Sequence, residues 1–263
     1  MRLNPLKINK ERRIIMRTKQ EVLDQIRDGI VVSCQAVGDN PLKRECARNM
    51  LLMAECAAQG GAAGFRANSP ENIIPIKEKY PDMPMIGIWK VMVEGNPIYI
   101  TPTMKEVDAL VECGCEIVAL DLTREINTTT GKYAYEIVKD IKAKYPNLVI
   151  MADIDDVEDA KIAYREGADI ISTTMNGYTA HSKVIHKSGE TDGEPNFENL
   201  REIRAALPDA FILFEGRLYT REDCVEAFKN GANCLCIGKA ITNPYKMTER
   251  FVNAVKDYCK GNH

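Results

Sequence analysis

Short apolar runs of five or six residues recur along the chain, separated by longer stretches in which apolar positions fall three or four apart. The first pattern is that of buried strands and the second that of helices with one apolar face. Four of the helical stretches close on a Gly followed by a small residue: Gly61-Ala62, Gly114-Cys115, Gly167-Ala168 and Gly231-Ala232. A Gly just beyond a helix adopts the left-handed conformation that ends it, which frees the next residues to start a strand. These glycines are 53, 53 and 64 residues apart. The constant interval fits two strand–helix units, and the 11-residue excess of the last interval marks one insertion, between Asn176 and Asn196.

A second signature lies between the glycines. Tyr80-Pro81-Asp82, Tyr145-Pro146-Asn147 and Leu207-Pro208-Asp209 each break a helix ahead of an apolar run, and Asp28-Gly29 does so before the first. Together the signatures predict strands over 30–35, 62–66, 85–90, 116–121, 148–153, 169–174, 210–215 and 233–238. Helices are predicted over 42–59, 70–79, 103–113, 133–144, 156–166, 197–206, 220–229 and 244–259. Thr103 with Glu106 reads as a capping box, and Ser69 with Pro70 as an N-cap and N1 pair. Eight alternating units in 263 residues match a (β/α)8 TIM barrel, an α/β fold that usually takes about 250 residues. No Gly-x-Gly-x-x-Gly follows the first strand, which counts against an open nucleotide-binding sheet.

Composition changes this picture little. The chain is 45% hydrophobic and 28% charged with net charge −3, so nothing favours nucleic acid or an anionic membrane as partner. No apolar run reaches the roughly 20 residues that span a bilayer. Residues 1–19 hold seven Lys or Arg and one acidic residue. They read as a basic, flexible N-terminal extension, with the barrel domain over 20–263. Nine cysteines sit mostly inside apolar segments rather than at loop-stapling spacings, so they are expected as buried, reduced thiols in a cytoplasmic protein.

Chemistry is expected where the strands end, because a barrel of this kind carries its site at their C-terminal ends. The tips read Gln35, Arg66, Lys90, Asp121, Asp153, Thr173 or Thr174, Glu215 and Gly238. Each shares a face with the apolar residue two positions earlier, so the barrel has a packed interior and a polar mouth. Asp121, Asp153 and Glu215 offer ligands for Mg²⁺, but Lys90 and Arg66 compete for the same carboxylates, so no metal is expected. A Lys facing a carboxylate suits proton abstraction beside a carbonyl, since burial brings both groups toward neutral pKa values. A Schiff-base Lys for aldol chemistry is the open alternative use of Lys90.

Eight segments occur in one order: Val31-Val-Ser-Cys-Gln35, Gly64-Phe-Arg66-Ala, Ile86-Gly-Ile-Trp-Lys90, Ile100-Thr-Pro-Thr-Met-Lys-Glu-Val107, Ala119-Leu-Asp121, Met151-Ala-Asp153-Ile, Ser172-Thr-Thr-Met-Asn-Gly-Tyr-Thr179 and Phe214-Glu215-Gly216-Arg217. Over about residues 22–255 the chain resembles the N-acylglucosamine-6-phosphate 2-epimerase (N-acetylmannosamine-6-phosphate epimerase) family of bacterial sialic acid catabolism. The resemblance implies a TIM-barrel isomerase without cofactor, acting on a small amino-sugar phosphate. It implies Lys90 and Glu215 as the groups handling the C2 proton, and Gln35, Arg66 and Asp153 as substrate contacts. Phosphate is expected at Gly216, Arg217, Gly238 and Lys239. There the chain departs from the family, with Lys239 where Gly is usual and Asn243 where Arg is usual. Arg124-Glu125 also replaces a more basic pair. A homodimer is compatible with this reading. The alternatives to the epimerase reading are a related barrel enzyme with shifted sugar-phosphate specificity, a Schiff-base aldolase, and a non-catalytic sugar-phosphate-binding barrel.

Overall fold

The computed structural model describes residues 17–36, 38–183 and 193–261. Eight parallel strands close into a barrel: β1 (Ile30–Cys34), β2 (Gly64–Asn68), β3 (Met85–Ile88), β4 (Ile117–Asp121), β7 (Val149–Asp153), β8 (Ile170–Ser172), β9 (Phe211–Glu215) and β10 (Cys234–Ile237). They pair in that order and β10 returns to β1. A short antiparallel hairpin of β5 (Ile126–Asn127) and β6 (Lys132–Tyr133) sits in the loop after β4 and was not expected from the sequence. The expected strand bounds hold to within two residues.

Outer helices alternate with the strands: α2 (Cys46–Gln59), α3 (Pro70–Lys79), α4 (Met104–Glu112), α5 (Ile137–Lys144), α6 (Val157–Glu166), α7 (Phe197–Ala206) and α8 (Arg221–Lys229). Two more, the short α9 (Lys239–Thr242) and α10 (Pro244–Gly261), follow β10. Gly61, Gly114, Gly167 and Gly231 all take positive φ, between 83° and 100°, as the helix-ending role requires. Glu106 returns to the backbone N–H of Thr103 at 3.1 Å. Ser69 does not cap α3 with its side chain; its hydroxyl instead donates to the Glu71 carboxylate at 2.7 Å.

Side-chain alternation divides the apolar residues into two layers. Phe65, Val118, Leu120, Ile150, Ile171, Ile212, Phe214 and Leu235 face outward and pack under the helices. Val31, Ile86, Ile88, Ile117, Ala119, Val149, Met151, Ile170, Phe211, Leu213, Cys234 and Cys236 fill the barrel interior. The floor is closed by an unexpected helix, α1 (Lys19–Ile26), whose Val22 and Ile26 join that interior layer. Thr18 accepts from the Glu21 N–H at 3.2 Å, and the Glu21 carboxylate accepts from the Thr18 N–H at 2.7 Å. Residues 1–16 of the basic extension lie outside the described residues.

All nine thiols are unpaired; Cys34, Cys115, Cys234 and Cys236 are buried as expected, whereas Cys56 and Cys259 are exposed. No helix among the described residues is long and apolar enough to cross a membrane.

Candidate active site

The inward register that stacks Ile86 on Ile88 continues to Lys90, and that of Phe211 and Leu213 continues to Glu215. Likewise Val149 and Met151 lead to Asp153. β3 ends two residues before Lys90 because the chain turns into an antiparallel excursion. Lys90 bridges to Ile100, and its backbone N–H is held by Asn68 Oδ1 at 2.8 Å. The lysine is thereby anchored at the rim rather than left in a loose loop.

Gln35, Arg66, Lys90, Glu215, Gly216, Arg217, Gly238 and Lys239 all line one cleft of about 500 Å³ at the C-terminal mouth. Asp153 is not in its wall. It stands behind Arg66, fully buried, and accepts from Arg66 Nη2 at 2.5 Å and from Thr174 Oγ1 at 2.7 Å. The other guanidinium arm, Nη1, donates to Glu215 Oε2 and to Thr174 Oγ1. Burial works against the charged form of Arg66, but the carboxylates of Asp153 and Glu215 outweigh it and hold its pKa above the ordinary range. Burial pushes Asp153 up, with Arg66 pulling the other way. The guanidinium does not lose its proton, so it keeps Asp153 as its carboxylate counter-ion.

Lys90 responds to the same cluster. Loss of water and the nearby Arg66 cation bring it down to about 8, despite the opposing pull of Glu215 and Asp153. An amine in that range exchanges protons near neutrality. Gln35 donates through Nε2 to Ser33 Oγ at 2.9 Å and presents a buried Oε1 with no partner among the described residues. Arg66 Nε is in the same condition. Asp121, the remaining acidic tip, is buried level with Asp153 and outside the cleft wall, and is pushed up to about 7 by burial, while Thr123 holds its carboxyl through N–H and hydroxyl.

Around the rim, Gly216 and Arg217 both have positive φ, 125° and 59°. The Arg217 guanidinium donates to the carbonyls of Glu194 at 3.0 Å and Asn176 at 3.2 Å, so it ties two loops together. Gly238 precedes α9, which begins with Lys239. Asn243, which stands where the resembled family usually has Arg, is buried at the edge of the cleft and accepts from the Lys246 N–H at 3.1 Å at the start of α10. Arg124 turns away from the cleft to Asp156 and Asp159, at 2.7 and 3.2 Å. Glu125 meets His181 at 3.2 Å, so the Arg124-Glu125 pair lines no part of the cleft. His186 and much of the insertion lie outside the described residues.

Sequence reasoning missed Ser33, Tyr99, Tyr178 and Lys246, which also line the cleft. Ser33 was accessible to it, since it shares a face with Gln35. Tyr99 was not, because it belongs to the excursion after β3. Burial first, then the Asp121 and Asp153 carboxylates, raise the Tyr99 phenol to about 12. Among the described residues no group of three or more His, Cys, Asp or Glu is placed to hold a metal ion.

Known proteins of similar sequence and fold place the chain in a family. Residues 50–257 match the family described as "Putative N-acetylmannosamine-6-phosphate epimerase". A Caldanaerobacter subterraneus subsp. tengcongensis protein named "Putative N-acetylmannosamine-6-phosphate 2-epimerase" is 39% identical over 242 residues, covering 91% of this chain and 96% of that one. A Staphylococcus haemolyticus protein of the same name is 42% identical over 229 residues, with coverages of 87% and 98%. The solved N-acetylmannosamine-6-phosphate 2-epimerase of Clostridium perfringens superposes with a TM-score of 0.79 at 38% identity, over 88% of this chain and 95% of that chain. Thiamine phosphate pyrophosphorylase of Pyrococcus furiosus, at 14% identity and TM-score 0.56 over 86% and 91%, shares the fold alone. By the family match and these relatives, the chain belongs to the N-acetylmannosamine-6-phosphate 2-epimerase family.

Proposed function

We propose that this protein is an isomerase interconverting N-acetylmannosamine 6-phosphate and N-acetylglucosamine 6-phosphate by deprotonation and reprotonation at C2, in amino-sugar (sialic acid) catabolism. The observation that carries the reading is the convergence of Lys90, Glu215, Arg66 and Gln35 on one cleft. Opening of the sugar ring exposes a C1 aldehyde that acidifies the C2 hydrogen. Inversion then needs a group that takes the proton from one face and a group that returns one to the other. Lys90, poised near pH 8, and Glu215 fill those two roles. Negative charge that develops toward C1 faces the Arg66 cation, already held in place by Asp153 and Glu215. The Gln35 carbonyl accepts from the N-acyl N–H or a sugar hydroxyl. Asp153 acts on substrate through Arg66 rather than by contact.

The phosphate belongs at the rim formed by Gly216, Arg217, Gly238 and Lys239. Incubation with N-acetylmannosamine 6-phosphate in D2O, followed by NMR, tests the reading. Epimeric product with deuterium at C2 is expected, and absence of both product and exchange would overturn it. The lowered Lys90 pKa equally suits an imine-forming aldolase. Borohydride trapping of a Lys90–substrate adduct selects that second reading, whereas exchange without trapping excludes it.

The same proposal includes a cytoplasmic setting, supported by nine unpaired thiols, and a homodimer. Support for the dimer is the face of α10, where Phe251, Val255 and Tyr258 are each more than half exposed at helical spacing. Sedimentation analysis should give twice the chain mass, and Phe251→Asp combined with Val255→Asp should give the monomer. A monomeric wild type would remove the dimer from the reading.

A further inference from the structure

Glu215 must carry a proton in one half of the proposed cycle and release it in the other, so what surrounds its carboxyl sets how evenly the two forms are populated. The titratable and charged groups facing it come from four sides of the barrel. Arg66 projects from β2, Lys90 from the excursion just beyond β3, Asp153 from β7 and Cys236 from β10. A neutral hydroxyl sits among them. Thr174 Oγ1 lies 3.1 Å from Glu215 Oε2, 2.7 Å from Asp153 Oδ1, 3.0 Å from Arg66 Nη1 and 2.9 Å from Ser172 Oγ.

A hydroxyl has one proton to give and two lone pairs to receive with. Arg66 has only protons to offer, so it takes one lone pair of Thr174. The Ser172 contact is ambiguous in isolation, but its direction follows from the other three. Were Thr174 to spend its proton on Ser172, both carboxylates would face its bare lone pairs. Ser172 is therefore the donor and occupies the second lone pair. One proton remains for two acceptors, Asp153 and Glu215.

The geometry points to Thr174 as a positioning residue whose hydroxyl proton alternates between Glu215, when that carboxylate is ionised, and Asp153, when Glu215 has taken up the substrate proton. The inference rests on Glu215 as a proton carrier in the reading above. In the first state Oε2 receives from both Arg66 and Thr174. In the second the Thr174 proton turns to Asp153, which Arg66 keeps ionised. Arg66 stays bonded to Asp153 Oδ2 and Glu215 Oε2 in both states, so only Asp153 Oδ1 gives up its donor in the first, and the protonated form of Glu215 is not penalised by a stranded donor. The backbone makes this rotation local. Neighbouring Thr173 donates its hydroxyl to the Glu215 carbonyl at 2.8 Å and accepts from the Glu215 N–H at 3.1 Å, which pins the turn after β8 to the end of β9. β-Branching at residue 174 limits χ1, so only the O–H bond need turn.

Thr174→Val, which keeps the shape and removes the hydroxyl, and Thr174→Ser, which keeps the hydroxyl, provide the test. The pH profile of kcat/KM for C2 epimerisation reads the effect, together with a 13C-NMR titration of the Glu215 carboxyl, assigned with Glu215→Gln. Loss of a donor to the ionised form should move the acid limb and the carboxyl titration of Thr174→Val up by about one pH unit. It should also lower kcat on the order of 10-fold with KM changed by less than about threefold. Thr174→Ser should recover both. An unmoved titration in Thr174→Val overturns the inference, as does a Ser variant no better than Val, which would assign the effect to methyl packing. The titration needs no substrate. An inactive wild type would therefore defeat the epimerase reading while the Thr174 coupling remained open to measurement, and the Ser variant serves if Val does not fold.

Discussion

At the floor of the barrel, Arg17 and Lys77 share the Glu116 carboxylate, and Lys19 meets Asp169, with side chains between 12% and 26% exposed. At the mouth, Arg66 binds Asp153 and Glu215 with 1%, 0% and 18% exposure. The residue types are the same and the distances comparable. On the floor, water reaches every charge and screens it. At the mouth, one guanidinium serves two carboxylates with a lysine beside them, and little water is left to share the load. The competition is relieved through proton affinities: Lys90 falls to about 8 and Asp153 rises. A buried set of like and unlike charges with no perfect pairing is what proton-transfer chemistry needs, and an exposed pair is only a clasp.

The largest effect expected from this contrast is on turnover. Lys90→Ala or Glu215→Gln should lower C2 epimerisation by at least about 100-fold, the scale of one lost acid or base. Steady-state kinetics at saturating substrate would show it, and near-wild-type turnover in either variant would break the assignment of the mouth as a proton-transfer site. Asp153→Asn removes one counter-ion from a buried guanidinium and should cost about 3 kcal/mol of stability, measurable by urea denaturation. A cost no greater than that of a floor pair would show that burial does not separate the two ends.

Next in size is a stability effect of opposite sign. The folded pKa of Lys90 lies below its unfolded value, so the protonated amine destabilises the fold throughout the range below about pH 8. Between that value and the ordinary lysine range the unfolded chain binds more protons than the folded one, so stability rises with pH. Lys90→Met should therefore gain about 1 kcal/mol at pH 7, the scale of one pKa unit, while abolishing activity. The gain should vanish above the unfolded lysine pKa, and equal stabilities at pH 7 would contradict the direction of the shift. The wild-type kcat/KM profile should carry a limb near pH 8 that Lys90→Ala lacks. Smallest of all is Lys19→Ala, expected to cost less than about 1 kcal/mol with kinetic constants unchanged. A change in KM there would mean that the floor communicates with the mouth.

Much of the fold was legible because its punctuation is stereochemical. A helix that ends in the left-handed conformation favours Gly at that position, so Gly61, Gly114, Gly167 and Gly231 reported four helix ends directly. The inward tips were legible for a similar reason, since strand alternation carries the register of Ile86 and Ile88 to Lys90 without reference to any neighbour. What stayed hidden had no local cause. Helix α1 has only Val22 and Ile26 buried, too few to stand out, and their burial is explained by the barrel floor they close. Tyr99 reaches the cleft through an irregular excursion, and Thr174 differs from Thr173 only in which way a turn aims it.

The amino-acid order alone determined how many barrel strands there are, to within two residues where they stop, and which polar residues crown them, because backbone geometry and side-chain alternation act within a few residues. It did not determine that Arg66 would meet a carboxylate 149 positions away, that Asp153 would stand behind the cleft rather than in it, or that Arg217 would clasp two loops. Those outcomes depend on barrel closure, which sets the distances between tips and removes the water between them. Coulomb energies depend on both, so the proton affinities of the site belong to the tertiary structure.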